Sequence, residues 1–231
     1  MGLLMTPVPL SRRSSTEHAE LGRRTLLVPI GSFEQHGAHL PLTTDSIVAV
    51  TVCEDAATQR DVDVAPVIAY SSSGEHEGFA GLLSIGVDVT AATLIEIVRS
   101  ARPSWKRLVL VNGHGGNVAS IEQVLEVARL EGDHVSAWFA RDEDGDAHAG
   151  ASETSFMLAV YPALVNMELV SDCVELPEDW LSRVQRNGVK SISPTGVLGD
   201  PASATEDKGH ELRRRWCAEV VAMIDSSVHV S

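Results

Sequence analysis

Glu34 and His36 stand two residues apart in the run G-S-F-E-Q-H-G-A-H-L-P-L-T-T-D, which closes on Asp45. Two further segments are as dense in groups that bind cations or move protons. Asn112-Gly113-His114-Gly115-Gly116-Asn117 sets a histidine in a glycine loop, and His148 and Glu153 share the run H-A-G-A-S-E-T-S. Carboxylate and imidazole donors suit zinc, iron or manganese. A single loop histidine is more often structural than a ligand, but three such clusters in one chain point to a metal centre.

The chemistry follows from type and spacing. In an extended or turn segment, residues two apart point the same way, so Glu34 and His36 share a side. Asp45, at the start of a helix, has two oxygens with which to bridge two cations. Glycines around His114 let the backbone approach closely. Glu153 falls in the first turn of a helix, where negative charge is favoured. Three carboxylates and two histidines are too few for two closed cages. They fit two divalent ions about 3.5 Å apart, bridged by Asp45 and a hydroxide, with open positions left over. Such a pair polarises a carbonyl and holds hydroxide at neutral pH, which is the equipment for amide hydrolysis. His148 is left to protonate a leaving nitrogen or to steady an oxyanion. Glu75 and His76 follow three serines and precede Gly78-Phe79; with Asn112 and Gly115 they are candidate substrate contacts. His18, His134, His210 and His229 lack such company and read as surface or core.

Two look-alikes fail on detail. Asp142, Asp144 and Asp146, with Glu153 at the twelfth place, imitate a calcium loop, yet Ala147 occupies the place where the turn needs glycine. An acidic surface loop is the better reading. Gly113-x-Gly115 after a strand hints at a dinucleotide, but Val118 replaces the third glycine.

These residues must be carried by something. Leu26 to Ile30 reads as a buried strand feeding the E-Q-H segment, Val62 to Ile68 as a second, Leu108 to Val111 as a third and Val135 to Ala140 as a fourth. Helices are expected from Ser46 to Gln59, from Asp88 or Thr90 to Arg102, after an Asn117 cap as far as Gly132, from Glu153 to Val160 with Ser152 as cap, and from Glu206 to Ser226. Residues 163–203 read as irregular. Strands alternating with helices predict one three-layer α/β/α domain on a mainly parallel sheet over 23–231, preceded by a partly mobile arm, 1–22. In such sheets ligands sit beyond the carboxyl ends of the strands, and all three clusters fall there.

The bulk numbers narrow the class. With 231 residues and 44% hydrophobic content, one large domain can bury a full core. A formal charge of −14 repels nucleic-acid backbones, so no nucleic-acid partner is expected. No run nears a membrane span, and no signal-peptide order is present at the N-terminus. Cys53, Cys173 and Cys217 are odd in number and far apart, which reads as reduced thiols in a cytoplasmic protein.

The chain resembles the creatininase family of metal-dependent amidohydrolases. The resemblance rests on the runs at 31–45, 112–117 and 148–155, on S-G-E-H-E-G-F-A-G-L-L-S at 73–84 and, more weakly, on S-P-T-G-V-L-G-D-P at 193–201. It implies Glu34, His36, Asp45, His114 and Glu153 as ligands of two divalent ions, zinc or iron(II) with manganese as a further candidate. It also implies His148 as the non-ligand catalytic histidine, Glu153 in a catalytic as well as a ligand role, and a homo-oligomer, often a hexamer. Creatininases proper carry a glutamate ligand two residues after the glycine-loop histidine and a tryptophan four residues before the catalytic one. Here those places are Gly116 and Asp144, so creatinine itself is a poor substrate candidate. The length and the late segment look most like the mycofactocin-system branch, which releases a modified C-terminal Val-Tyr unit from a precursor peptide. A small lactam or formamide is the alternative substrate, and a non-catalytic metal-binding subunit is the alternative class. A peptide would want an open groove, a small amide a closed aromatic pocket.

Overall fold

The structure, a computed structural model, describes residues 10–142, 145–173 and 175–226. Four strands, β1 (Arg24–Ile30), β2 (Val62–Val64), β3 (Trp105–Asn112) and β4 (Val135–Phe139), form one sheet in the order β2-β1-β3-β4. Every pairing is parallel. The helices are α1 (Ser15–Glu20), α2 (Thr44–Gln59), α3 (Val87–Ala101), α4 (Val118–Glu131), α5 (Ala151–Val160), α6 (Trp180–Asn187) and α7 (Glu206–Asp225).

Strand side chains alternate between faces, and the sequence uses both faces for apolar residues. Leu26, Val28 and Ile30 of β1 join Leu108 and Leu110 of β3 against Leu94 and Val98 of α3 and Ile121 and Val124 of α4. Leu27, Val109 and Val111 point the other way, onto Val48 and Val52 of α2, Phe156 of α5 and Trp216 and Val220 of α7. The expected three layers are therefore present. The chain leaves β1 toward one side for β2, then returns past it to β3. That reversal opens a crevice at the carboxyl ends of β1 and β3, the ends that continue into residues 31–36 and 113–117.

Local chemistry shifts several expected boundaries. The second strand is only three residues long. Pro66 has no N–H to give, so beyond Val64 the run stays beside β1 through separate bonds: Ala65 N–H to Leu27 O at 2.9 Å, Ile68 N–H to Pro29 O at 3.0 Å and Gly31 N–H to Ile68 O at 3.0 Å. Asp88 and Thr90 lie inside α3; Gly86 holds the cap position, and the Thr90 hydroxyl donates back to its carbonyl at 2.7 Å. Asn117 precedes α4 but gives it no side-chain cap, because its amide is engaged elsewhere. Gly132 ends α4 in the left-handed conformation, as expected. Ser152 lies within α5 and does not cap it. The irregular stretch contains α6 and several short 3-10 turns. Among the described residues, no helix is long and apolar enough to cross a membrane.

The described part of the N-terminal arm lies on the outer edge of the sheet. Ser14 and Glu17 form a reciprocal capping box at the start of α1. Arg13 reaches the inaccessible Asp63 carboxylate at 2.7 Å, and the His18 ring rests 4.7 Å from that of Trp105.

Candidate metal centre

The crevice brings the three clusters together. Glu34, His36, Asp45 and His114 are at most 4% exposed, and His148 is 8% exposed. Glu34 and His36 come from the segment after β1, Asp45 from the first turn of α2, His114 from the loop after β3, and His148 and Glu153 from the entry to α5. Three groupings hold their donor atoms within binding distance of one another: Glu34 with Asp45 and His114, His36 with His148 and Glu153, and Glu34 with His76 and His148.

The distances show how tightly the groups face one another. Asp45 lies between two imidazoles, with Oδ1 3.0 Å from His36 Nε2 and Oδ2 3.0 Å from His114 Nδ1. Its Oδ2 also accepts the Ser32 hydroxyl at 2.6 Å. Glu34 Oε2 is 3.2 Å from His114 Nε2, and Glu153 Oε2 is 3.9 Å from His36 Nε2. Both Glu34 oxygens are buried and neither has a hydrogen-bond partner of acceptable geometry. A buried carboxylate left in that condition is costly unless a cation meets it.

Packing these groups without an ion shifts their proton equilibria. Burial alone would lower His36, but Asp45, Glu153 and Glu34 outweigh it and push His36 up to about 9. His114 is likewise raised against its burial, by Glu34, Asp45 and Glu75. Asp45 is held well below the usual carboxylate range, because His36 and His114 outweigh its desolvation. Burial, with the Asp45 and Asp146 charges, raises Glu153 to about 7. Burial first, and then the neighbouring His36 charge, hold His148 well below 6.5, so it is a neutral imidazole.

The loop that presents His148 and Glu153 is built with care. Its Ala149 has φ +52°, a left-handed conformation uncommon for a residue with a side chain. That geometry aims the Ala149 N–H at Glu153 Oε2, 2.6 Å away. Asp146 accepts from the backbone N–H groups of Ala151, of Ser152 at 3.2 Å and of Asp200 at 3.1 Å. It therefore caps α5, a role the sequence had suggested for Ser152. Asp142, expected in an exposed acidic loop, has a side chain only 6% exposed and meets Arg215, Lys208 and Ser152. Asp144 lies outside the described residues.

The candidate substrate contacts divide. Glu75 Oε1 is 3.3 Å from His114 Nε2, at the more open side of the cluster. A side chain at Gly116 would collide with Glu75 Oε1 and His114 Nε2, so the glycine leaves room for that carboxylate. His76 is 2% exposed with its ring 4.5 Å from that of His148, inside the cluster. Asn112 has both ends engaged in the protein: Nδ2 donates to His114 O at 2.6 Å, and Oδ1 accepts from Asn117 at 3.0 Å. It orients the backbone of His114. Gly115 is exposed, with open space around it.

Four contributors escaped the sequence reading: Ser32, Gln35, His39 and Asp146. Ser32 and Gln35 sit inside the motif already singled out, so adjacency was a signal. His39 is 1% exposed and lies 3.0 Å from Thr154 Oγ1, next to Glu153, which no spacing rule foretells. A surface depression lined by Asp142, Lys208, His210 and Arg214 lies along α7 and includes no residue of this cluster.

Comparison with known proteins agrees with the geometry. The creatininase family profile, described as creatinine amidohydrolase, matches residues 11–224. The mycofactocin precursor peptide peptidase of Mycobacterium ulcerans is 42% identical over 207 residues, covering 85% of this chain and 81% of that one. The creatinine amidohydrolase of Pseudomonas putida is 29% identical over 231 residues, covering 87% and 88%. A solved manganese creatininase overlays with a TM-score of 0.76 at 25% identity, across 93% of this chain and 96% of that one.

Proposed function

Since this chain belongs to the creatininase family, we propose that it is a metal-dependent peptidase that hydrolyses one peptide bond of the mycofactocin precursor peptide, releasing its modified C-terminal Val-Tyr unit. The observation that carries the chemistry is Glu34, a fully buried carboxylate whose two oxygens lie beside imidazoles yet accept no well-aligned hydrogen bond. The donor set fits divalent cations. Glu34, Asp45 and His114 would hold one ion and His36, Asp45 and Glu153 a second, with zinc or iron(II) as the first candidates and manganese as a third. The peptide substrate is supported by the higher identity to the peptidase relative, 42% against 29% for the creatinine amidohydrolase.

When bound, the ions supply Lewis acidity to the scissile carbonyl and lower the pKa of water near it. The chain's own groups do the rest. Asp45 is held ionised and oriented by Ser32, so it stays fixed between the two positions. Glu153, placed by Ala149 and Asp146, takes the proton of the attacking water. His148, neutral and beside Glu34, relays a proton to the departing amine nitrogen. Burial of the cluster excludes bulk water and strengthens each of these interactions. We also read the chain as a homo-oligomer, up to a hexamer, in the cytoplasm. Light scattering that returned only the 24.7 kDa of a single chain would remove the oligomer.

The test is to load the purified protein with zinc or iron(II), add the modified precursor peptide and follow products by mass spectrometry. Metal-dependent release of the C-terminal unit is expected. No cleavage with two ions bound per chain would discard the peptidase reading and turn the search to small cyclic amides and formamides.

A further inference from the structure

Gln35, between Glu34 and His36, carries no chemistry of its own, yet its side chain is 6% exposed and lies at the centre of the histidines. Its orientation is set by two backbone groups that cannot change role. The Gly37 N–H donates to Gln35 Oε1 at 2.8 Å, and the Gly196 carbonyl accepts from Gln35 Nε2 at 3.1 Å. The amide is therefore placed with its NH2 toward the histidines. Gly196 has φ +85°, and a side chain there would collide with the Gln35 amide. The late segment 193–201 thus contributes the position that admits Gln35, and Leu198 bridges to the backbone of His148.

The protons of two imidazoles follow. His148 Nε2 lies 2.8 Å from the backbone carbonyl oxygen of Gln35, which only accepts, so Nε2 carries the hydrogen. Gln35 Nε2 is 3.2 Å from that same protonated nitrogen and finds no acceptor there. Its second hydrogen goes to His76 Nδ1, 3.0 Å away. A neutral His76 accepting at Nδ1 carries its proton on Nε2, the atom 3.1 Å from Glu34 Oε1.

We propose that Gln35 is a positioning residue that sets the tautomers of His76 and His148. His148 presents an unprotonated Nδ1 to the site. His76 carries its hydrogen on Nε2, the ring nitrogen near Glu34, and is not a metal ligand, although it belongs to one of the three possible ligand groupings. Orientation of ligating carboxylates by such neighbours typically changes metal affinity by 10–100-fold. The proposal deepens the metallopeptidase reading and rests on it only for the meaning of the site, not for the hydrogen bonds.

The test uses protein labelled with 15N at histidine, both zinc-loaded and metal-free, with His76→Asn and His148→Asn to assign signals. Long-range 1H–15N correlations distinguish protonation at Nε2 from Nδ1 without substrate or turnover, so failure of the peptidase reading leaves this outcome untouched. Both rings are expected to be protonated at Nε2. Gln35→Glu, nearly isosteric, replaces the donor with an acceptor; His76 should move its proton to Nδ1, and zinc affinity by chelator competition should fall roughly 10–100-fold. Should that variant fail to fold, Gln35→Met removes the donor and should leave His76 as a mixture of tautomers. Protonation of either ring at Nδ1 in the parent protein would overturn the proposal, as would a His76 tautomer unmoved by either substitution.

Discussion

At the scale of single residues, the site is a set of buried carboxylates and imidazoles that face one another at close range. Without an ion, His36 binds its proton up to about 9 and Glu153 up to about 7, and His114 is raised as well. Metal ions need those groups deprotonated, so loading releases protons. Apparent affinity for zinc should rise by about tenfold or more from pH 6.5 to 8.5, read by competition with a chelator of known pH dependence; a flat profile would contradict the assignment. His148 differs, because burial keeps it neutral, and in the proposed reading it is a proton carrier rather than a ligand. His148→Ala should retain both ions, counted by elemental analysis, while kcat falls by roughly 10²–10⁴. Unchanged turnover would favour a non-catalytic metal-binding subunit instead.

At the scale of elements, each donor stands where regular structure stops. Strands β1 and β3 deliver Glu34 and His114 into the crevice, and α2 starts one residue before Asp45. The entry to α5 has the most to lose, since the Asp146 carboxylate caps it and ties it to Asp200. Asp146→Ala should lower stability by about 1–2 kcal/mol, as the loss of a helix cap does, measured by urea unfolding. It should also weaken metal binding or turnover by roughly 10–100-fold, because Ala149 and Glu153 lose their frame. A stability loss with intact metal affinity and turnover would show that the loop holds itself.

At the scale of the whole molecule, the two apolar clusters on either face of the sheet carry the fold, and a buried polar anchor ties the N-terminal arm to its edge. Asp63 is inaccessible and meets Arg13, Arg24 and Trp105. Burial would raise its pKa, but the Arg13 and Trp105 hydrogen bonds lower it overall. A carboxylate lowered in the native state contributes stability that is full above its unfolded value, about 3.9, and fades as pH falls through the native value. Asp63→Ala should cost about 3 kcal/mol at pH 7, the scale of leaving a buried partner uncompensated. Below pH 4 the thermal stabilities of parent and variant should converge. A constant gap down to pH 2 would assign the cost to packing.

Much was legible without coordinates, because composition and short-range pattern are local properties. Glu34, His36, Asp45, His114 and Glu153 announced themselves as donor types in dense runs, and the alternation of apolar strands with helices foretold three layers around a parallel sheet. Boundaries drifted where one residue's chemistry ruled, as at Pro66, or where a side chain had a stronger partner elsewhere, as with Asn117. What only the folded chain decided was company across sequence distance. Gln35 meets His148 across 113 positions and Gly196 across 161, and His39 reaches Thr154 across 115. Asp146 became a cap because Asp200 and the start of α5 converge on it. No spacing rule encodes such meetings, since they arise from how separate segments pack around one crevice, and the tautomers proposed for His76 and His148 depend on them.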